Sequence, residues 1–495
     1  MRTPSIYSVE STADPFSQAL RANQAGETPE ERRVRLEAEA EAKRVSDRID
    51  EELRQERERL RRSKGDVKLL LLGQAESGKS TLQKQFQLMY RPSSLEQERA
   101  SWRTVIYFNV VHSLKHILST LEAWDDSFEE DPNSTNSTPL RLNDELPPIP
   151  SGMPRAPSRP ESPALPSRNN RIAYLRSRLA PLLATDAPLA DRLSGGVSVL
   201  GSKGGLYVRS GWQARTVDKG LSRFKKSTND NDFRRTDGGD AEEDFLLQDI
   251  GRMLSTLKED IRELWAHQTV KGLIMKRKLK LDEWSEFFLK DITRIAAADY
   301  IPTTDDILHA RIQTMGVAEH IFDVDLHGKS VTWHLYDVGG ARGQRHSWIP
   351  YFDTANAIIF VAPVSAFDQY LEEDPRTNRI DDSLQLFTQV CSNALLKSVH
   401  LVLFLNKTDL LKAKIDNGLR VAKYITSFGD RSNDYETVVQ YFRAHFLQVH
   451  RRNNENRRVL YTHFTSVVDT KTTQRIIGNV RDSIFRGYLQ SAALV

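Results

Sequence analysis

Cysteine is almost missing. Cys391 is the only one in 495 residues, which excludes an intramolecular disulfide and fits a reducing compartment. No apolar run approaches the length of a membrane span, and no signal-peptide core opens the chain, so neither a membrane-embedded nor a secreted protein is expected. The sequons Asn133-Ser134-Thr135 and Asn136-Ser137-Thr138 are therefore read as bystanders. Nor is there an excess of one charge. Lys and Arg number 70 against 67 Asp and Glu, a formal net charge of +3, so no global field points to nucleic acid or to an acidic membrane. No internal repeat is visible. The content, 28% charged and 39% hydrophobic, suits a soluble protein with some disordered polar sequence, and the length suggests two to four domains with ample core.

What is present falls into zones. Residues 1–27 are polar and aperiodic and read as disordered. From Pro29 to Ser63, Arg and Glu surround an apolar seam of Val34, Ala38, Ala42, Ile49, Leu53 and Leu60 near a 3.5-residue period, the pattern of a long exposed amphipathic helix. Its seam is either free for a partner or simply solvated. Continuous apolar runs then predict parallel strands covered on both faces: Val67–Leu72, Val331–Tyr336, Ala357–Ala362, Val399–Leu405 and Val459–Phe464. Helices are expected over Thr81–Met89, Ser383–Leu396 and Tyr435–Val449. Between the first strand and the others, Leu95–Trp124, Phe245–Lys280 and Leu281–Ala297 read as helices. Asp126–Asn170 (rich in Pro, Ser and Asn) and Gly195–Asp240 (rich in Gly, Ser and Lys) read as low-complexity segments unlikely to build a core. The pattern is a helical domain inserted into an α/β domain, with a flexible insertion inside it.

Three motifs follow strands. Gly73-Gln74-Ala75-Glu76-Ser77-Gly78-Lys79-Ser80 reads G-x-x-x-x-G-K-S after a buried strand and before a helix, the context of a phosphate-cradling loop. Backbone N–H groups from Glu76 through Thr81 would face an anion, Lys79 would supply a point charge for the outer phosphates, and the Ser80 hydroxyl would meet Mg²⁺. Asp337-Val338-Gly339-Gly340 places a carboxylate where it could hold a Mg²⁺-bound water, and Gly340 where a backbone N–H could approach a γ-phosphate. Asn406-Lys407-Thr408-Asp409 puts Asp409 where it could accept both the ring N–H and the exocyclic amino group of guanine, a donor pair adenine lacks. Asn406 would tie this loop to the phosphate loop, and the Lys407 stem would cover the base. Singly, D-x-x-G is weak and N-K-x-D moderate. In this order, each after a strand, they select GTP; a P-loop ATPase or kinase is disfavoured by Asp409.

On these residues the chain resembles a heterotrimeric G-protein alpha subunit, of an atypical fungal type with a long insertion. The matching passages are Val67–Gln85, Tyr300–Gly316, Asp337–Phe352, Phe404–Leu410 and Tyr461–Lys471. The resemblance implies a Ras-like P-loop GTPase domain with a mostly parallel sheet, in two parts (65–92 and 305–495), around a helical domain (93–304) that carries the low-complexity insertion (about 126–240). A disordered terminus (1–27) and an amphipathic helix (28–64) precede them. It also implies GTP/GDP and Mg²⁺ as ligands, with Ser80 and Thr314 on the metal, Arg311 as an arginine finger supplied in cis, Leu308, His309 and Ala310 flanking the ribose, and the Val467 N–H meeting the guanine carbonyl. The implied partners are a βγ dimer on the amino-terminal helix, a seven-helix receptor at the carboxyl terminus, and an effector on the switches. Localisation would be cytoplasmic, peripheral at the inner plasma membrane through partners.

The departures from the family's pattern cluster at the chemistry. Ala341 stands where the family has the glutamine that orients the attacking water; Gln344, three residues on, is the candidate substitute. Ala75 replaces a glycine beside the γ-phosphate. The binding residues survive and the hydrolytic ones are eroded, so a slow GTPase switch is expected, with a pseudo-GTPase scaffold held in one nucleotide state as the alternative. His267 and Gln268 replace an Asp-Ser pair, which puts the helical-domain contacts with the nucleotide in doubt. The start Met1-Arg2-Thr3 lacks the family's Met-Gly-Cys, so no direct lipid anchor by that route is expected. Leu489–Val495 keeps an apolar ending like the family's receptor-binding tail.

Overall fold

The computed structural model describes residues 28–62, 66–129, 168–194, 207–208, 212–213, 239–281, 283–326, 328–454 and 458–491. Expectations for 1–27, for most of the low-complexity runs and for the last four residues lie outside these. Contacts divide the chain into two compact units, 1–66 and 67–495.

In the first unit, helix α1 (Pro29–Arg62) begins with a capping box. The Thr28 hydroxyl accepts from the Glu31 N–H at 3.4 Å, and the Glu31 carboxylate accepts from the Thr28 N–H at 2.9 Å. Val34, Ile49 and Leu53 of the expected seam are exposed, each by half or more, and so is Leu36.

The second unit runs in chain order through β1 (Val67–Leu72), α2 (Lys79–Tyr90), α3 (Pro92–Glu129), α4 (Arg168–Leu183), α5 (Asp186–Ser194), β2 (Tyr207–Val208), α6 (Gly239–Ala266), α7 (Gln268–Met275), α8 (Glu283–Lys290), α9 (Ile292–Ile295) and α10 (Thr304–His309). It continues through β3 (Gln313–Thr314), β4 (Val317–Leu326), β5 (Lys329–Val338), β6 (Ala357–Pro363), α11 (Arg379–Ser392), β7 (His400–Asn406), α12 (Thr408–Asp416), α13 (Tyr435–Arg452), β8 (Leu460–Thr465) and α14 (Thr470–Ser491). Six strands form one sheet in the order β4-β5-β1-β6-β7-β8. All neighbours are parallel except β4, which runs antiparallel to β5 at the edge.

Because side chains alternate along a strand, the apolar runs serve both faces. Leu70, Leu72, Ile358, Phe360, Leu401 and Leu403 enter one core with α11 and α13, including Phe387, Phe442 and Phe446. Leu69, Leu71, Ile359, Val361, Val402 and Phe404 enter the other, against Leu82 and Phe86 of α2 and Ile477 and Val480 of α14. The five predicted strands are present within a residue or two, except that β5 is longer at both ends. β4 was not anticipated: its sequence, Val317-Ala318-Glu319-His320-Ile321-Phe322-Asp323-Val324-Asp325-Leu326, alternates as a half-exposed edge strand does.

A third core is all helical. It joins Trp102, Val105, Ile106 and Val110 of α3 to Ile250, Leu254 and Ile261 of α6 and to Phe288 of α8. Here two expectations are corrected. The predicted helix Phe245–Lys280 breaks at His267, whose ring nitrogen accepts the Thr269 N–H at 3.2 Å and caps α7. The segment Gly195–Asp240 does contribute core: Val208 and Trp212 are buried in this cluster, with Leu175, Leu179 and Leu182 of α4 (at i, i+4, i+7) and Leu189 and Leu193 of α5 from the stretch before it. Short apolar periods between Pro- and Ser-rich runs carried that signal.

Candidate functional site

β1 lies between β5 and β6, so the loops at the carboxyl ends of these strands open a crevice at a switch of strand order. The loop after β1 enters it. Gly78 sits at φ 104°, and a Cβ there would lie 2.4 Å from Asn406 Nδ2. Lys79 begins α2 and is buried, its Nζ donating to the Gly73 and Gln74 carbonyls at 3.0 and 2.8 Å. Burial pushes its pKa down to about 8, against the pull of Asp337, while Arg345 and Arg379 push it further down. A desolvated ammonium that crowns a loop of N–H groups is built for an anion.

Beside it three oxygens converge. Ser80 Oγ donates to Asp337 Oδ2 at 2.6 Å, Thr314 Oγ1 donates to the same oxygen at 3.0 Å, and the two hydroxyls are 3.0 Å apart. Asp337 Oδ1 and Ser77 Oγ are buried with no hydrogen-bond partner among the described residues. Gly340, after β5, lies directly on the phosphate loop, where a Cβ would be 2.4 Å from the Ala75 nitrogen. The D-x-x-G turn is held by Arg345, which donates to Gly340 O at 3.4 Å and to both oxygens of buried Asp382 at 3.1 and 2.6 Å. Arg342 adds a contact to Asp382 at 3.2 Å, and buried Trp348 donates its Nε1–H to Gly339 O at 2.9 Å.

Arg311 follows α10, a helix with a capping box of Thr303 and Asp306 at its start. Its guanidinium donates to Glu76 Oε1. Burial pushes the Glu76 carboxyl up, but Arg311, Arg379 and Lys407 together outweigh this and hold it at about 2. Asn109 of α3 grips the Arg311 backbone from both sides: its Oδ1 accepts the N–H at 2.9 Å and its Nδ2 donates to the carbonyl at 3.1 Å. Leu308, His309, Ala310, Arg311 and Thr314 line one cleft with Glu76, Gly78, Lys79, Ser80, Thr81, Gly340, Ala341, Gln344 and Lys407. The Gln344 carboxamide lies against Gly339; a Cβ on that glycine would meet Gln344 Oε1 at 1.7 Å, and this buried oxygen has no partner among the described residues.

Of the third motif, Lys407 lines this cleft. Asn406 Nδ2 donates to Ser77 O at 2.8 Å and so joins the two loops. Thr465 Oγ1 and the Val467 N–H both donate to Asn406 Oδ1, at 3.0 and 3.2 Å, so the Val467 N–H is engaged by Asn406 here. Lys407 adopts the left-handed conformation (φ 65°) that turns β7 into α12, and Asp409 is exposed in the first turn of α12. His267 and Gln268 do not line the cleft; they sit at the α6–α7 break with Glu263 and Ala266.

Several residues at the site carry no sequence signal of their own. Arg379, at the start of α11, donates to Gln74 Oε1 at 2.8 Å, Glu76 Oε2 at 2.9 Å and Ala75 O at 2.5 Å. Gln74 answers by donating to Arg379 O at 2.6 Å and to Ser383 Oγ. Lys84 and Trp284 also line the cleft. Motif spacing cannot find Arg379 and Trp284, because they reach the site from elsewhere in the chain.

A strand-flanked phosphate loop, a carboxylate–hydroxyl cluster and an N-K-x-D turn, all at one end of a mostly parallel sheet that carries a helical layer, define a guanine-nucleotide-binding P-loop protein. The family model described as G-protein alpha subunit matches residues 43–484. The chain is 34% identical to the guanine nucleotide-binding protein alpha-4 subunit of Mycosarcoma maydis, over 97% of this chain and 96% of that protein. It is 27% identical to the guanine nucleotide-binding protein G(o) subunit alpha of Geodia cydonium, over 94% and 98% of the two chains. The chain belongs to the G-protein alpha-subunit family, whose members are GTP-hydrolysing signalling switches that work with βγ dimers, receptors and effectors.

Proposed function

We propose that this chain is a GTP switch with slow turnover that rests mainly in its GTP form. The observation that carries the reading is the pairing of an intact binding apparatus, Lys79 beside the Ser80–Thr314–Asp337 cluster, with a methyl group at Ala341. The β- and γ-phosphates lie on the N–H groups of Glu76–Thr81 under Lys79. Asp409 accepts the guanine N–H groups, Lys407 covers the base, Leu308, His309 and Ala310 flank the ribose, and the Val467 N–H turns from Asn406 to the guanine carbonyl. The donor set suits Mg²⁺, being hard oxygens only, with Asp337 Oδ1 left unpartnered. Ser80 and Thr314 would hold that ion and Asp337 its water, and when bound it would neutralise phosphate charge.

Hydrolysis requires Arg311 to leave Glu76 and meet charge developing on the transferring phosphoryl group. The attacking water has no glutamine at 341 to orient it, and Ala75 narrows the space beside the γ-phosphate. Gln344 supplies the remaining carboxamide at that end of the cleft, so turnover is slow rather than absent. The partition follows the family: a GTPase domain in two parts around a helical domain at 93–304. The exposed seam of α1 takes the βγ dimer, the carboxyl-terminal helix and tail take the receptor, and the two switches take the effector. Among the described residues no helix is long and apolar enough to cross a membrane, and peripheral residence at the inner face of the plasma membrane comes through these partners.

Nucleotide analysis of the purified chain with a single-turnover time course tests this. Bound guanine nucleotide that ATP does not displace, with hydrolysis slower than in an alpha subunit carrying the glutamine, is the expected result. An ordinary rate would sink the slow-turnover reading. The absence of a residue at Ala341 able to orient water favours, as a second reading, a scaffold held in one state. Trp348 separates the two, since its indole is bonded to the second switch: a scaffold would show no fluorescence change between GDP and a GTP analogue.

A further inference from the structure

Beyond α5, the described residues of the long insertion are 207–208 and 212–213, and Val208 and Trp212 are buried in the helical core. Tyr207 and Val208 form β2, which pairs in parallel with β3 in the register Tyr207↔Gln313 and Val208↔Thr314. The Met315 N–H donates to Val208 O at 3.0 Å. This two-stranded sheet is separate from the six-stranded one, and two strands of two residues do not persist in water by themselves. The anchor is Trp212. It is 4% exposed and meets Trp102 of α3 edge-on, with ring centroids 4.9 Å apart at 85°. Next to it Gln213 Nε2 donates to Glu98 Oε2 at 3.4 Å, and Gln213 O accepts from Ser101 Oγ at 3.5 Å. Trp102 also carries Lys84 Nζ, 4.1 Å from the ring centroid, and Lys84 donates to the Ile307 and Ala310 carbonyls that lead into Arg311.

The insertion thus grips the first switch at the Met315 N–H, one residue beyond Thr314, whose hydroxyl sits in the oxygen cluster. We propose that 207–208 and 212–213 form a built-in brace for that switch, with Val208 and Trp212 as positioning residues that hold β3 so that Thr314 stays at Ser80 and Asp337. The proposal rests on the reading of Thr314 as a metal-binding residue of a GTP switch. Its consequence is that Mg²⁺ and nucleotide leave slowly, because Thr314 cannot swing away without breaking a strand pair anchored by a buried indole.

The test uses the full chain with Trp212→Ala, Trp212→Phe and Val208→Pro. The last withdraws a backbone donor from β2 and leaves the Trp212–Trp102 contact in place, so it remains informative if Trp212→Ala fails to fold. Amide exchange is followed over 312–316, and release of a fluorescent GTP analogue is followed against Mg²⁺ concentration. Trp212→Ala and Val208→Pro are expected to speed exchange at Met315 by about fivefold or more, the weight of one hydrogen bond. They are also expected to shift the Mg²⁺ needed to retard release upward, and Trp212→Phe to restore both. Unchanged exchange in folded variants overturns the brace. Faster exchange with an unchanged Mg²⁺ requirement overturns it too, since β2 would then pair without positioning Thr314. If the wild-type chain binds no guanine nucleotide, the functional reading fails by itself, and the exchange arm still decides whether β2 holds β3.

Discussion

At position 341 a methyl group lines the cleft, while the Gln344 carboxamide lies over Gly339 with its oxygen buried and unpartnered among the described residues. A buried carbonyl left without a donor is costly, and a water or phosphate-bound species in the cleft would supply one. Ala341→Gln should therefore raise single-turnover hydrolysis by on the order of tenfold or more, as expected when a water-orienting group is restored. Gln344→Ala should lower the residual rate without weakening GTP affinity; equal rates in both variants would leave Ala75 as the dominant lesion. Lys79 gives a pH prediction. Its pKa of about 8 in the free site lies below the ordinary lysine value of 10.5, and an adjacent phosphate raises it. Below pH 8 Lys79 is charged with or without nucleotide, so affinity is flat. Above pH 8 binding must take up a proton, so affinity falls as pH rises, by up to about tenfold per unit. Titration calorimetry in two buffers of different ionisation enthalpy would detect that proton, and a pH-independent affinity between 8 and 9.5 would contradict it.

Among the elements, α11 does more than cover the sheet. Arg379 at its start clamps the phosphate loop, and Asp382, in its first turn, receives Arg342 and Arg345 from the second switch. The switch is thus docked on a buried carboxylate, and Asp382→Asn would leave two guanidinium groups with a weaker acceptor. Since both arginines are partly exposed, the loss is about 1–3 kcal/mol, confined to the docked arrangement. The expected outcome is a selective fall in affinity for a GTP analogue relative to GDP, by roughly tenfold; an equal fall for both would mean that Asp382 only stabilises the fold. Such elements were unequally legible. β1, β6 and β7 announce themselves as unbroken apolar runs because both faces are covered, and the motifs after β1 and β7 could be placed from that alone. β4 hides in alternating polar residues at an edge, and β2 is too short to show a period. The clamp by Arg379 and the grip of Asn109 on Arg311 span some 300 and 200 residues of chain, and a single sequence holds no spacing rule that joins them.

At the scale of the second unit, the helical layer and the sheet meet over the cleft, and what joins them there governs how fast a nucleotide escapes. Three contacts do so near the first switch: Asn109 on the Arg311 backbone, Lys84 between Trp102 and the end of α10, and β2 on β3. Of these Asn109 is the simplest to remove, since it is 1% exposed and both its amide atoms bond the same residue. Asn109→Ala leaves the Arg311 N–H and carbonyl without these partners in a half-buried position, a cost of about 1–3 kcal/mol to the closed cleft. An opened cleft regains it by admitting water, so the loss falls on closure rather than on folding. Spontaneous release of a fluorescent GDP analogue should accelerate by about tenfold, with little change in the melting temperature of the nucleotide-free chain. A release rate within twofold of wild type would show that Asn109 is only packing, and that Lys84 and the β2 pairing keep the cleft shut without it.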